Sequence, residues 1–150
     1  MTSSSLVTQD VEPIDLLIVG AGGAGLEAAM VAGTMMSEQN CPRWKVLGFI
    51  DDAPGLKGAF VGGLPVVTTI AEYLARFAGS GAWFHCAIGN NAVRRQIAGR
   101  LEEAWFRAAT LVAPTAVIAK SASIGDGTYI GHFCFIGPEA KIGRHALINV

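Results

Sequence analysis

A period of six residues constrains this chain more than any other feature. Counting from Val112 in steps of six gives Val112, Ile118, Ile124, Ile130, Ile136, Ile142 and Ile148, all β-branched aliphatics. Two positions before each stands a small residue: Thr110, Ala116, Ala122, Thr128, Cys134, Ala140 and Ala146. Glycine follows four of the aliphatics, at Gly125, Gly131, Gly137 and Gly143. A strand alternates with period two and a helix with 3.6, so neither produces a strict six. With Val, Ile and Leu at about a quarter of residues, seven in register by chance is roughly one in ten thousand. A six-residue repeat marks a parallel β-helix, in which each repeat forms one flat side of a coil. The aliphatic then points inward and stacks on its counterpart in the next coil. The small residue shares the crowded interior, and the glycine is expected to bend the chain between sides.

Upstream of this stretch the pattern is different. Ile14 to Val19 is an apolar run interrupted only by Asp15, expected for a strand buried on both faces of a parallel sheet. It leads into Gly20-Ala21-Gly22-Gly23-Ala24-Gly25, which fits G-x-G-x-x-G, and then into a helical stretch from Leu26 to Met36. Strand, glycine-rich turn and helix in this order are the context in which backbone N–H groups receive a phosphate at a helix N-terminus. A second strand is expected over Trp44 to Ile50, ending in Asp51-Asp52, where an acid pair suits a ribose or base contact. A third extended segment covers Leu64 to Val67, and a helix follows over Ile70 to Phe77 with Thr68 or Thr69 as N-cap. The fourth strand runs from Trp83 to Ile88. After it, Gly89-Asn90-Asn91 precedes a helix from Ala92 to Trp105, with Asn91 as its expected N-cap and Arg94, Arg95, Arg100, Glu102 and Glu103 on its wetter side. This second loop lies on the same sheet edge as the first. Its Asn amides can donate to carbonyl or phosphate oxygens. Phe106 to Leu111 returns as a strand and feeds the repeats. The expected organisation is a tail over 1–12, a small parallel α/β domain over 13–109, and an incomplete β-helix over 110–150.

Composition narrows the function classes. The net charge is −1 and no long basic or acidic run is present, which argues against a nucleic-acid or anionic membrane partner. The longest apolar runs fall far short of a membrane span. Met1 to Asp10 has no basic residue and no apolar core, so it reads as a mobile tail rather than a secretory signal. Cys41, Cys86 and Cys134 are odd in number and scattered, as expected for reduced thiols in a cytoplasmic protein. His85, His132 and His145 have no metal-site spacing and are expected at the surface or at corners, so no metal is anticipated. About ninety residues make one mononucleotide-binding half, which weakens a nicotinamide reading of the glycine motif.

The combination of Val19-Gly20-Ala21-Gly22-Gly23-Ala24-Gly25, Phe49-Ile50-Asp51-Asp52, Ala87-Ile88-Gly89-Asn90-Asn91-Ala92-Val93-Arg94 and hexapeptide repeats resembles the sugar acyltransferases of the sialic-acid O-acetyltransferase type. That group includes bacterial nucleotide-amino-sugar N-acetyltransferases of glycan biosynthesis, and the resemblance runs from about Asp15 onward. It implies a Rossmann-like domain holding a UDP-sugar, followed by a left-handed β-helix that forms a homotrimer, with acetyl-CoA in a cleft between neighbouring β-helices. By resemblance, Gly20, Gly22 and Gly23 approach the nucleotide, Asp51 and Asp52 contact the uracil or ribose, and Gly89, Asn90 and Asn91 line the sugar-phosphate side. The family often carries His where this chain has Ala24, which touches the sugar contacts, and His where it has Ala113. The family's general base is a histidine shortly after the position matched by Ile148-Asn149. It is therefore expected beyond Val150, and neither His132 nor His145 matches it.

Seven hexapeptides make a little over two three-sided coils, and an open last coil leaves apolar side chains and strand edges uncovered. The expectation is that these 150 residues are the N-terminal part of a longer acetyl-CoA-dependent acyltransferase and do not catalyse transfer alone. A natural short form whose open end is covered by self-association is the alternative. Two other functions stay in view: a non-catalytic nucleotide-sugar-binding module, and a small NAD-dependent oxidoreductase.

Overall fold

The computed structural model describes residues 11–38 and 40–150. Most of the stretch read as a tail falls at 1–10, outside the described residues.

The apolar run forms β1 (Ile14–Val19), and it lies inside the sheet. It pairs in parallel with β2 (Trp44–Ile50) on one side and with β5 (Trp83–Cys86) on the other. Alternation divides its side chains between two cores. Leu16 and Ile18 face one, and Leu17 and Val19 the other. The sheet has six strands in the order β3-β4-β2-β1-β5-β6, with β3 (Phe60–Val61), β4 (Leu64–Thr68) and β6 (Arg107–Ala108). The short β3 was not expected from the sequence. It pairs antiparallel with β4 through Gly62 and Gly63, whose φ angles of 56° and 81° suit the tight turn of a hairpin. The remaining pairs of this sheet are parallel.

Helices cover both faces. α1 (Gly23–Thr34) packs Ala28, Val31 and Ala32 on the Leu16 face. It starts three residues earlier than its apolar pattern suggests, because Gly22 serves as N-cap. It ends at Thr34, since Met35 turns to extended backbone and Met36 bridges to Pro42. α2 (Ile70–Phe77) and α3 (Asn91–Glu103) pack Ile70, Tyr73, Ala98 and Leu101 on the other face, against Val19, Ile50, Phe84 and Cys86. Thr69 caps α2 in a reciprocal capping box with Glu72. The cap of α3 is Asn90 rather than Asn91: Asn90 Oδ1 accepts from Val93 N at 3.0 Å.

After β6 the chain changes character. Seven two-residue strands follow: β7 (Leu111–Val112), β8 (Val117–Ile118), β9 (Ser123–Ile124), β10 (Tyr129–Ile130), β11 (Phe135–Ile136), β12 (Lys141–Ile142) and β13 (Leu147–Ile148). Each pairs in parallel with the strand eighteen residues away. Leu111, Tyr129 and Leu147 form one row, Val117 and Phe135 a second, and Ser123 and Lys141 a third. Six residues thus make one side, and three sides make one turn. Ile130, Cys134 and Ile136 fill the interior with Val112, Ile118, Ile124, Ile142 and Ile148 and the small alanines between them. The repeat glycines do not make the bends. Positive φ falls two residues later, at Gly127, Phe133, Glu139 and His145, and only the first of these is glycine. Gly125 is needed for close approach instead, because a Cβ there would meet the backbone of Gly143 and Arg144 in the next turn.

The first coil is not separate from the sheet. Leu111, Ala113 and Tyr129 share one buried cluster with Leu16, Ile18 and α1. α1 buries Ala28, Val31 and Ala32 in this shared cluster and leaves Leu26, Glu27 and Met30 exposed on its other side.

Candidate functional site

From β1 the chain passes through α1 to β2 on one side, and later returns through α2 to β5 on the other. The strand order therefore reverses between β1 and β5. In an open α/β sheet the crevice at such a point, beyond the C-terminal strand ends, is where ligands bind. Both loops singled out in the sequence open there. Gly20 N donates to Ile50 O at 2.8 Å and Ala87 N donates to Val19 O at 2.9 Å, which ties the ends of β1, β2 and β5 together. A Cβ on Gly20 would lie 3.3 Å from Ala87 O, so the two loops touch.

The four glycines of the first loop divide into two pairs. Gly20 has φ +98°, a conformation that L side chains rarely adopt, and a Cβ on Gly25 would overlap the carbonyl of Gly20. These two are glycine for reasons internal to the fold. Gly22 and Gly23 have no such reason, since a Cβ on either meets nothing within 4 Å. They stand at the exposed N-terminus of α1, where backbone donors lack helical partners. A bound phosphate could approach there without a side chain in the way.

The acid pair is held by backbone amides. Asp51 accepts from Ala21 N through Oδ2 and from Ala53 N through Oδ1, both at 2.8 Å. It therefore shapes the glycine-rich loop directly. Asp52 Oδ1 accepts from Ile70 N at 2.7 Å, at the start of α2. A carboxylate has about four acceptor positions, so a ligand donor can still be received.

In the second loop, Asn90 Oδ1 takes Val93 N and Asn91 Oδ1 takes Arg94 Nη2 at 2.6 Å. Both side chains are exposed, with their oxygens engaged by protein. Their amide nitrogens are left as donors, the polarity needed for phosphate or sugar oxygens.

Arg94 was expected on the wetter side of its helix and is instead 6% exposed. Its Nη1 donates to Ile88 O at 2.7 Å and to Gly89 O at 3.1 Å, and its Nε donates to His145 O at 2.7 Å. Burial lowers its pKa. Side chains on a helix lean toward its N-terminus, which brings this guanidinium back over the loop before α3. Helical spacing alone did not reveal it; the unprotected carbonyls of a loop ahead of an Arg in the second turn were the available signal.

The histidines also depart from expectation in one case. His85, expected at the surface or a corner, is fully buried on β5. Its Nδ1–H donates to Ala109 O at 2.9 Å, while Nε2 has no partner among the described residues. Burial lowers its pKa to about 4, assisted by His145 and Arg94 and opposed by the bond to Ala109. His145 does lie at a coil corner, with φ +53°, and its Nε2–H donates to Glu102 Oε1 at 2.8 Å. Arg144 pairs with the same carboxylate. His132 stands beside the corner at Phe133, with Nδ1 2.8 Å from Thr115 Oγ1. Among the described residues no group of three or more His, Cys, Asp and Glu is placed to hold a metal. No described helix is long and apolar enough to cross a membrane. A cleft of about 560 Å³ lies between α3 and the last coil corner, lined by Asn91, Arg94, Arg95, Glu102, Arg144 and His145 among others. The glycine-rich loop does not contribute to it.

A profile of the PglD N-terminal domain matches residues 15–101, from the first strand to the end of α3. The chain belongs to the PglD N-terminal domain family. The UDP-N-acetylbacillosamine N-acetyltransferase of Bacillus subtilis (strain 168) is 49% identical over 47 residues, 31% of this chain and 22% of that protein. Among solved structures, the acetyltransferase domain of PglB from Neisseria gonorrhoeae FA1090, in complex with acetyl coenzyme A, superposes with TM-score 0.76 at 25% identity. That match covers 93% of this chain and 63% of the other. PerB from Caulobacter crescentus, in complex with CoA and GDP-perosamine, shares the fold with TM-score 0.74 at 24% identity, over 91% of this chain and 60% of the other. This PglD-type chain thus spans less than two thirds of the length of these relatives.

Proposed function

We propose that this PglD-type chain is the nucleotide-sugar-binding part of an acetyl-CoA-dependent acyltransferase. Its acceptor is the amine or hydroxyl of a UDP-linked amino sugar, in bacterial glycan biosynthesis. The carrying observation is the switch-point crevice. Gly22 and Gly23 leave open space over a helix N-terminus, and the amide donors of Asn90 and Asn91 stand on the neighbouring loop. The first loop suits the nucleotide phosphates, and the second suits the sugar-phosphate side. Asp51 and Asp52 border the crevice and offer acceptors to a base or ribose. The names of the relatives support the same chemistry, since two are acetyltransferases and one was solved with CoA and a nucleotide sugar.

Acyl transfer requires the acceptor to attack the thioester carbonyl, a base to take its proton, and N–H donors for the oxyanion. Acetyl-CoA enters as second substrate. None of the three histidines is assigned as base. His85 is buried and held neutral, His145 is bound to Glu102, and His132 is paired with Thr115. We place the base in later coils of the enzyme.

The same reading makes the coil left-handed, the enzyme trimeric and its location cytoplasmic. Supporting association, the side formed by β8 and β11 presents Val117 and Phe135 at 59% and 69% exposure, register partners beside Phe133 at the adjoining corner, which is 76% exposed. Apolar side chains clustered on one flat side favour a partner surface over water.

Calorimetric titration tests the binding reading. A UDP-linked sugar should bind in the micromolar range and NAD should give no heat. Micromolar NAD affinity with no response to UDP or UDP-sugars would overturn it. Sedimentation velocity reads the association independently.

A further inference from the structure

We infer that Arg94 is a positioning residue that sets the Asn90-Asn91 donors against the coil, and so fixes the sugar end of the ligand relative to the acyl-transfer half. The inference rests on the ligand reading given above and assigns a task to a residue outside the expected site.

The geometry is specific. One guanidinium makes four hydrogen bonds, to Ile88 O, Gly89 O, Asn91 Oδ1 and His145 O. Three of these acceptors belong to the second loop, and the fourth is a coil corner 51 positions away in the sequence. The fork of an Arg can reach several divergent acceptors at once, whereas a Lys ammonium is a single point. Arg94 is buried, and no carboxylate pairs with it among the described residues. An unpaired buried charge costs folding free energy, and a hydrocarbon side chain there would avoid that cost. The arrangement instead spends the charge on orientation. By taking Asn91 Oδ1, Arg94 fixes which end of that amide is engaged, and Asn91 Nδ2 is presented as a donor.

The corner it grips is gripped a second time. Glu102, two turns further along α3, receives His145 Nε2–H and Arg144. The corner at Arg144–His145 is thus held at both ends of one helix face, and only the Arg94 end reaches the ligand loop. A break at Arg94 frees the loop while leaving the second attachment in place.

Two variants and two readouts separate this role from general stability. In Arg94→Lys, UDP affinity should stay within about twofold, while UDP-N-acetylglucosamine loses about tenfold. Amide hydrogen exchange at Gly89, Asn91, Ala146 and Leu147 should accelerate together, with β2 and α1 unchanged. Asn91→Asp keeps the acceptor for Arg94 but exchanges the outward donor for an acceptor. It should leave exchange unchanged and still lose about tenfold for UDP-N-acetylglucosamine. Full rescue of sugar affinity by Lys, or faster exchange in the loop without the coil corner, would overturn the role of Arg94. Loss of UDP and UDP-N-acetylglucosamine affinity in equal measure would also overturn it. A wild-type chain that binds neither UDP nor its sugars, yet shows the paired exchange change, refutes the ligand reading and not the coupling.

Discussion

Acid should destabilise this protein in a window set by one buried imidazole. His85 is fully buried between sheet and coil, with its ring 6.2 Å from that of Tyr129, and among the described residues its Nε2 has no partner to stabilise a second proton. Its pKa is lowered to about 4 in the fold, against 6.5 in the open chain. Between those two values the unfolded chain binds a proton that the folded one refuses, so stability falls as pH falls. Above 6.5 both states are neutral and the contribution is constant; below about 4 both are charged and the loss is complete. At about 1.4 kcal/mol per pH unit, the gap corresponds to a total loss of about 3 kcal/mol, with about 2 kcal/mol already gone at pH 5. Urea denaturation at pH 7.5, 6.5, 5.5 and 4.5 measures it. His85→Asn is the control, since its amide can still donate to Ala109 O but does not titrate. The wild-type profile should slope and the variant profile should be flatter by most of the difference. Equal slopes for the two proteins, or a wild-type stability unchanged from pH 7.5 to 5, would refute the assignment.

Four further outcomes are expected. Gly25→Ala forces a Cβ into the carbonyl of Gly20 and should cost about 3 kcal/mol, a fall in Tm of roughly 10 °C by differential scanning fluorimetry. Gly23→Ala meets open space, and should hold Tm while weakening UDP-sugar binding by about tenfold in the same calorimetric assay. Glu72, held down to about 2 by its bonds to Lys57, Thr68 and Thr69 N, stabilises the fold above 4.5, and that help disappears as pH falls toward 2. Glu72→Gln should therefore lower the urea midpoint at pH 7 and match wild type near pH 2. Ile130→Ala, at a fully buried position stacked between Val112 and Ile148, should cost about 3 kcal/mol by urea denaturation, with loss of the coil's exchange protection.

Much of the fold was legible because it is written in local periodicity. Largely apolar stretches located β1 and β2 to the residue, and a helical stretch with Thr68 or Thr69 as its cap located α2. The period of six foretold three sides per turn before any pairing was known. Boundaries governed by single caps were less legible, as the shift from Asn91 to Asn90 shows. A two-residue strand such as β3 carries too few side chains to leave a pattern.

What the sequence determined on its own is the identity of the longer elements, the repeat of six and the residues of the two crevice loops, because backbone preference and apolar spacing act over a few neighbours. Tertiary structure decided which glycines answer to the fold and which to open space, since a Cβ on Gly25 would meet the Gly20 carbonyl and one on Gly22 would meet nothing. It decided that His85 is buried and neutral, because a first coil packs over its strand. It also decided the use of Arg94, whose partner at His145 lies 51 positions away. Polar groups meet by the route of the whole chain, and spacing along one helix cannot report a partner brought in by another.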